Sequence, residues 1–138
     1  MRDISIATNQ PLTVIVVDDN KDVLEAVAAI FERIGYKVKK ASGGNEALLS
    51  ILAEQFDLLV TDYDMPELNG YQLAIAAKSD SPETSVLIMT GLDRADVTAE
   101  LSSGLADGWL FKPFGIDTVQ NILGNINQKN GGRFLQHG

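Results

Sequence analysis

The stretch LLVTDYDMPELNG, residues 58–70, runs a buried strand directly into two carboxylates. Leu58, Leu59, Val60 and Thr61 show no polar alternation, the pattern of a strand covered on both faces. They meet Asp62, and Asp64 follows two residues later. Pro66 brings no N–H to a sheet ladder and Gly70 marks a turn, so the strand must stop here. A carboxylate at the end of a buried strand is costly unless something pairs with it. Its partners must come from elsewhere in the chain.

Similar apolar runs occur at residues 12–17, 56–61, 86–90 and 109–111, with a weaker strand candidate, YKVKKA, at 36–41. Helical spacing lies between them. Val23, Val27, Ile30, Phe31 and Ile34 form one apolar stripe, with Asp19 or Asn20 as its start signal and Gly35 as its stop. Residues 46–54, 68–78 and 116–126 follow the same pattern. A helix over 95–105 is expected to be the most mobile, because Ser102, Ser103 and Gly104 are poor helix formers. Strand and helix alternate throughout, which predicts an α/β fold: a doubly wound parallel sheet of five strands with helices on both faces. Such sheets place their sites at the carboxyl ends of the strands, near the switch in strand order.

The chain's 138 residues suit one domain with a real core. The division expected is an N-terminal extension over 1–11, a folded domain over 12–128, and a Gly-broken tail or linker over 129–138. Net charge is −8, with no cluster of Lys and Arg, which argues against direct nucleic-acid binding. The absence of cysteine excludes disulfides, thiol catalysis and thiolate metal sites. No apolar run reaches the length of a membrane span, and the first residues lack the apolar core of a secretory signal, so a cytoplasmic location away from membranes is expected.

The residues at the strand ends answer the question that Asp62 raises. The first strand runs into Asp18 and Asp19, the third into Asp62, the fourth ends in Thr90, and the fifth runs into Lys112 and Pro113. In a parallel sheet, three carboxylates, a hydroxyl and an ammonium then converge on one edge. Two unit charges ~4 Å apart at an effective dielectric constant of ~20 interact by ~4 kcal/mol. One lysine does not neutralise three acids, so either a proton is shared or a cation sits among them. An all-oxygen cluster suits a hard divalent ion, and Mg²⁺ is the usual one where phosphate binds. The chemistry that fits is phosphoryl transfer, with Asp62 as nucleophile, Lys112 neutralising phosphoryl oxygens and Thr90 donating to one of them.

Taken in order and spacing, VVDD, VTDYDMP…NG, MTG and FKPF resemble the receiver domain of bacterial two-component response regulators, of the chemotaxis-regulator type, over roughly residues 12–128. The resemblance implies a flavodoxin-like fold with strand order 2-1-3-4-5. It implies Asp62 as phosphoacceptor, Asp19 as a direct Mg²⁺ ligand, Asp18 assisting through water, and the backbone carbonyl of Asp64 completing the metal's protein ligands together with Asp62. Thr90 and Lys112 match the family's switch hydroxyl and lysine, and Lys112–Pro113 its commonly cis peptide. The implied partners are a histidine kinase or histidine phosphotransfer protein upstream. Downstream, the chain would meet a protein target or a second copy through the face formed by the last two helices and the final strand, residues 90–128. Two positions depart from the pattern. Trp109 stands where Tyr or Phe is usual, so a rotating aromatic switch there would have to move an indole. Gly91 stands where Ala is common and loosens the loop after Thr90. Asp64 lies at the position that influences phosphoryl lifetime in the family.

Read singly, the same residues have plainer roles. Asp18 and Asp19 suit a helix cap, Asp64 a turn, Lys112 a solvated side chain and Trp109 core packing. His137, the single histidine, lies in the tail, so the folded region offers no phosphohistidine of its own. DYD is also similar to the nucleophile motif of haloacid-dehalogenase-type phosphatases. Those enzymes place the metal-binding acids after the lysine, whereas here Asp18 and Asp19 come first. A receiver with a decayed site is the third reading, and every chemical position being occupied argues against it. Sequence predicts a phosphoacceptor, with catalysis limited to its own phosphorylation and dephosphorylation.

Overall fold

A computed structural model describes residues 10–129. Five strands, β1 (Thr13–Val17), β2 (Lys37–Ala41), β3 (Leu58–Asp62), β4 (Ser85–Thr90) and β5 (Gly108–Phe111), form one parallel sheet in the order β2-β1-β3-β4-β5. The helices are α1 (Lys21–Ile34), α2 (Gly44–Ala53), α3 (Gly70–Asp80), α4 (Thr98–Ser103) and α5 (Ile116–Lys129). This is the flavodoxin-like arrangement expected from the sequence. The N-terminal extension, for residues 1–9, and the tail, for residues 130–138 with His137, lie outside the described residues.

Lack of alternation in the central strands has the cause anticipated: both sheet faces are covered. Val14, Val16, Leu58, Val60, Leu87, Met89 and Leu110 point into the layer filled by Leu24, Val27 and Phe31 of α1 and Val119, Leu123 and Ile126 of α5. The alternate residues Ile15, Val17, Leu59, Val86 and Ile88 meet Ala47 and Ile51 of α2 and Leu73, Ala74 and Ala77 of α3. The edge strand β2 is largely exposed, with Lys39 paired to Glu54 and Lys40 to Glu25. Lysines on an edge discourage pairing with another chain.

Local chemistry sets the helix boundaries. Asn20 caps α1, its side chain accepting the Val23 N–H, and Gly35 closes it with φ 119°. Asn69 and Gln72 form a reciprocal capping box, so α3 starts at Gly70, two residues later than the apolar spacing suggested. The expected helix over 95–105 is divided. A 3-10 turn covers Arg94–Val97, and α4 proper ends at Gly104, with φ 69°. Ser102, Ser103 and Gly104 shorten it, as their low propensity requires.

Gly124 lies exposed within α5, and a Cβ built there meets nothing within 4 Å. Gly124→Ala is expected to stabilise the fold by about 0.5–1 kcal/mol, because alanine loses less backbone freedom in a helix. Calorimetry should show a rise of about 3 °C in the thermal midpoint; a fall would mean that this face of α5 is covered.

Candidate functional site

Sheet register brings the strand-end residues together. Val17 pairs with Thr61, Asp62 with Met89, and Thr90 with Phe111, so Asp18, Asp62, Thr90 and Lys112 all come to the carboxyl edge. Asp18, Asp19 and Asp62 each offer a carboxylate oxygen, and these oxygens lie within 4.8 Å of one another. Asp18 and Asp62 are buried, whereas Asp19 is exposed.

Lys112 bridges two of the acids. Its Nζ donates to Asp62 Oδ1 at 2.8 Å and to Asp18 Oδ2 at 3.3 Å. The other oxygen of Asp18 accepts the Asn20 N–H at 2.9 Å, so Asp18 is held from both sides. The Lys112–Pro113 peptide is cis. Thr90 is buried, and its hydroxyl oxygen accepts the Leu92 N–H at 3.0 Å. The Asp64 side chain is exposed, on the turn that follows β3.

Burial raises the Asp62 carboxyl above its ordinary value; the Lys112 hydrogen bond opposes this, and the Asp18 and Asp19 charges add to it. For Lys112, burial would lower the ammonium, but the hydrogen bond and charge of Asp62, with Asp18, prevail and raise it. The site thus carries more negative charge than its lysine offsets. All its anionic donors are oxygens and none is a thiolate or imidazole, which fits a hard divalent cation.

Trp109 is half-buried and faces the α3 side of the sheet, whereas its neighbours Gly108 and Leu110 face α5. Strand alternation gives the α5 side to Leu110. The indole lies 6.1 Å from the Tyr63 ring and 6.4 Å from the Phe111 ring, centroid to centroid, and the Arg94 guanidinium sits 4.7 Å over Phe111.

Several supports were not legible in the sequence. Thr61 Oγ1 donates to the backbone carbonyl of Asp62 at 3.0 Å. The Tyr63 hydroxyl donates to Glu100 Oε2 at 2.7 Å, and that of Tyr71 pairs with Ser103 Oγ at 2.9 Å. Neither tyrosine stands in a recognisable pattern. Only the position of Tyr63, directly after Asp62 and therefore on the opposite sheet face, could have drawn notice.

Residues 14–124 match the family model described as the response regulator receiver domain. A curated relative, the response regulator MprA of Mycolicibacterium vanbaalenii, is 33% identical over 79% of this chain and 47% of its own length. Among solved structures, the chemotaxis response regulator CheY4 of Vibrio cholerae superposes with a TM-score of 0.77 at 28% identity, covering 85% of this chain and 99% of that one. A response regulator protein from Burkholderia pseudomallei, solved with a phosphorylated aspartic acid, calcium ion and citrate, has a TM-score of 0.75 at 26% identity, over 87% of this chain and 71% of that one. The chain spans 14% of the length of one curated relative it matches and 53% of another.

Proposed function

Because this chain belongs to the response regulator receiver domain family, we propose that Asp62 accepts a phosphoryl group from a phosphohistidine of a kinase or phosphotransfer protein, and that the change alters binding to a downstream protein. The observation that carries this reading is the convergence of Asp18, Asp19 and Asp62 with Lys112 at one sheet edge. The phosphorylated aspartic acid in the Burkholderia pseudomallei relative supports it. A phosphatase of the haloacid-dehalogenase type is not supported, since the chain order of its acids is that of the receiver family. No helix among the described residues is long and apolar enough to cross a membrane, and a cytoplasmic place is part of the same proposal.

An Asp62 carboxylate oxygen attacks phosphorus, the O–P bond forms, and the P–N bond to the donor imidazole breaks with its electron pair leaving on nitrogen. Asp62 ends β3 at the carboxyl edge of the sheet, and its backbone is fixed by Thr61 and by the β3 ladder. Lys112, already donating to Asp62 Oδ1, stays beside the incoming phosphoryl oxygens and offsets their charge. The Thr90 hydroxyl donates to one of those oxygens. Asp18, Asp19, Asp62 and the backbone carbonyl of Asp64 would hold Mg²⁺, which supplies further charge neutralisation when bound. Dephosphorylation in this scheme is a separate step: water attacks phosphorus, the O–P bond to Asp62 breaks, and the carboxylate and inorganic phosphate are released.

Incubation with Mg²⁺ and a small acyl phosphate should add one phosphoryl mass, removable by hydroxylamine. Asp19→Ala should keep the fold, because Asp19 is exposed and its loss relieves repulsion, yet lose Mg²⁺ binding and at least a hundredfold in labelling rate (an order-of-magnitude expectation for removal of a direct ligand). Titration of Mg²⁺ by calorimetry checks it independently, and parental affinity in this variant would remove Asp19 from the metal site.

A further inference from the structure

Helix α4 is weakly seated on the fold. None of its residues is buried, and between Gly91 and Gly104 Val97 alone is. Its attachments to the rest of the fold are polar. Tyr63 donates to Glu100 Oε2, a half-buried carboxylate, at 2.7 Å. Tyr71, in the first turn of α3, pairs with Ser103 Oγ, which itself donates to the Glu100 carbonyl at 2.7 Å.

Tyr63 is a rigid post. Its N–H donates to the Met89 carbonyl at 2.7 Å, its carbonyl accepts the Gly70 N–H at 2.9 Å, and its ring packs beside Trp109. It is also the residue that follows Asp62. The bond to Glu100 therefore joins the end of the phosphoacceptor strand to a helix with no fully buried side chain of its own. Hydrogen bonding to the Glu100 carboxylate also raises the Tyr63 phenol above its ordinary value, as expected of a donor facing an anion.

The opposite end of this segment is tied to Thr90, whose hydroxyl oxygen accepts the Leu92 N–H. If that hydroxyl turns toward a phosphoryl group on Asp62, this bond is lost, and the loop from Gly91 into the Arg94–Val97 turn is released from Thr90. Gly91, with open space around its Cα, offers little resistance. Displacing α4 then requires the Tyr63–Glu100 bond to break.

We propose that the Tyr63 hydroxyl and the Glu100 carboxylate form a latch that holds α4 in the unphosphorylated chain and opposes the phosphorylated form. This rests on the proposed phosphorylation of Asp62 for its second half only; the restraint on α4 exists without it. The latch sets the two-state equilibrium from the unphosphorylated side, by stabilising one of the two states rather than by touching the reacting atoms. Tyr63 is in this sense a positioning residue. Its ring remains beside Trp109 in Tyr63→Phe, so the hydroxyl alone is removed.

Amide hydrogen exchange on the unmodified chain reads the latch directly. In Tyr63→Phe, amides of residues 98–104 are expected to exchange about tenfold faster, the factor carried by one charge-assisted hydrogen bond, while those of β1 and β3 keep their parental rates. Glu100→Gln, which keeps an acceptor without the charge, should fall between the two. Parental exchange over 98–104 in Tyr63→Phe overturns the latch. The regulatory half is read by binding of beryllofluoride with Mg²⁺, a phosphoryl mimic, which should tighten by about tenfold in Tyr63→Phe if the closed latch opposes the active form. Equal or weaker binding in that variant, with the parent binding normally, overturns it. Failure of the parent itself to bind the mimic or to be labelled at Asp62 would instead refute the phosphoacceptor reading, so the two failures are distinguishable.

Discussion

Asp62→Asn should gain no phosphoryl mass under conditions that label the parent chain, and without metal it should melt a few degrees higher at neutral pH. The loss follows from the chemistry, since a carboxamide oxygen is a poor nucleophile for phosphorus. The stability gain follows from the electrostatics. Asp62 is buried beside Asp18 and Asp19, and its carboxyl lies above the ordinary range even with Lys112 attached. In the window between the ordinary carboxylate value and that raised one, the native state binds more protons than the unfolded chain. Stability therefore falls as pH rises through this window, and the cost is fully present once pH exceeds the raised value. The asparagine carries no such cost, so the two proteins should converge below the ordinary carboxylate range. Mg²⁺ should narrow the gap, because binding to the native state stabilises by mass action and the parent offers one more anionic ligand. Thermal melts across pH, with and without Mg²⁺, check every part of this. Equal melting at neutral pH would mean that Lys112 fully offsets the cluster, and labelling of the variant would move the nucleophile elsewhere.

Gly70→Ala should destabilise the fold by about 3 kcal/mol, as overpacking against immovable atoms does, and should slow labelling of Asp62. Gly70 opens α3, and its N–H donates to the Tyr63 carbonyl. A Cβ at this position would collide with the backbone carbonyl oxygen and carbon of Asp62 and lie 3.0 Å from Tyr63 Cα. These are backbone atoms, so no rotamer change relieves the contact. Either α3 lifts from the sheet, loosening Leu73, Ala74 and Ala77, or the end of β3 shifts with Asp62 on it. Gly43→Ala is the matched control, because that glycine is extended and a Cβ there meets nothing within 4 Å. Denaturant unfolding should show a large drop for the first variant and little change for the second. A parental midpoint for Gly70→Ala would mean that the α3 terminus has slack.

The contrast between Gly70 and Gly124 shows where sequence stops being informative. Both read as glycines at or inside helices. One is required by a backbone 8 residues away in sequence and in contact in space, the other by nothing in the described structure. Composition and propensity do not separate them, because the difference is the distance to a neighbour that the fold supplies.

The order of residues along the chain suffices for the sheet and its acidic edge. Apolar runs without alternation require strands covered on both faces, alternation with helical stripes requires parallel crossovers, and such a sheet gathers its strand-end residues on one side. Asp18, Asp19, Asp62, Thr90 and Lys112 were therefore legible, because each ends a strand or follows one within two residues. Helix ends marked by Asn20 and Gly35 were legible for the same reason: a cap acts over three or four residues. What bridges distant segments depends on packing in three dimensions. That packing turned Trp109 toward Tyr63 and away from α5, set Gly70 against Asp62, and joined Tyr63 to Glu100 across 37 positions. Periodicity reports which face of an element is buried, but not which side chain of another element meets it; that is fixed only when register and packing bring the two together.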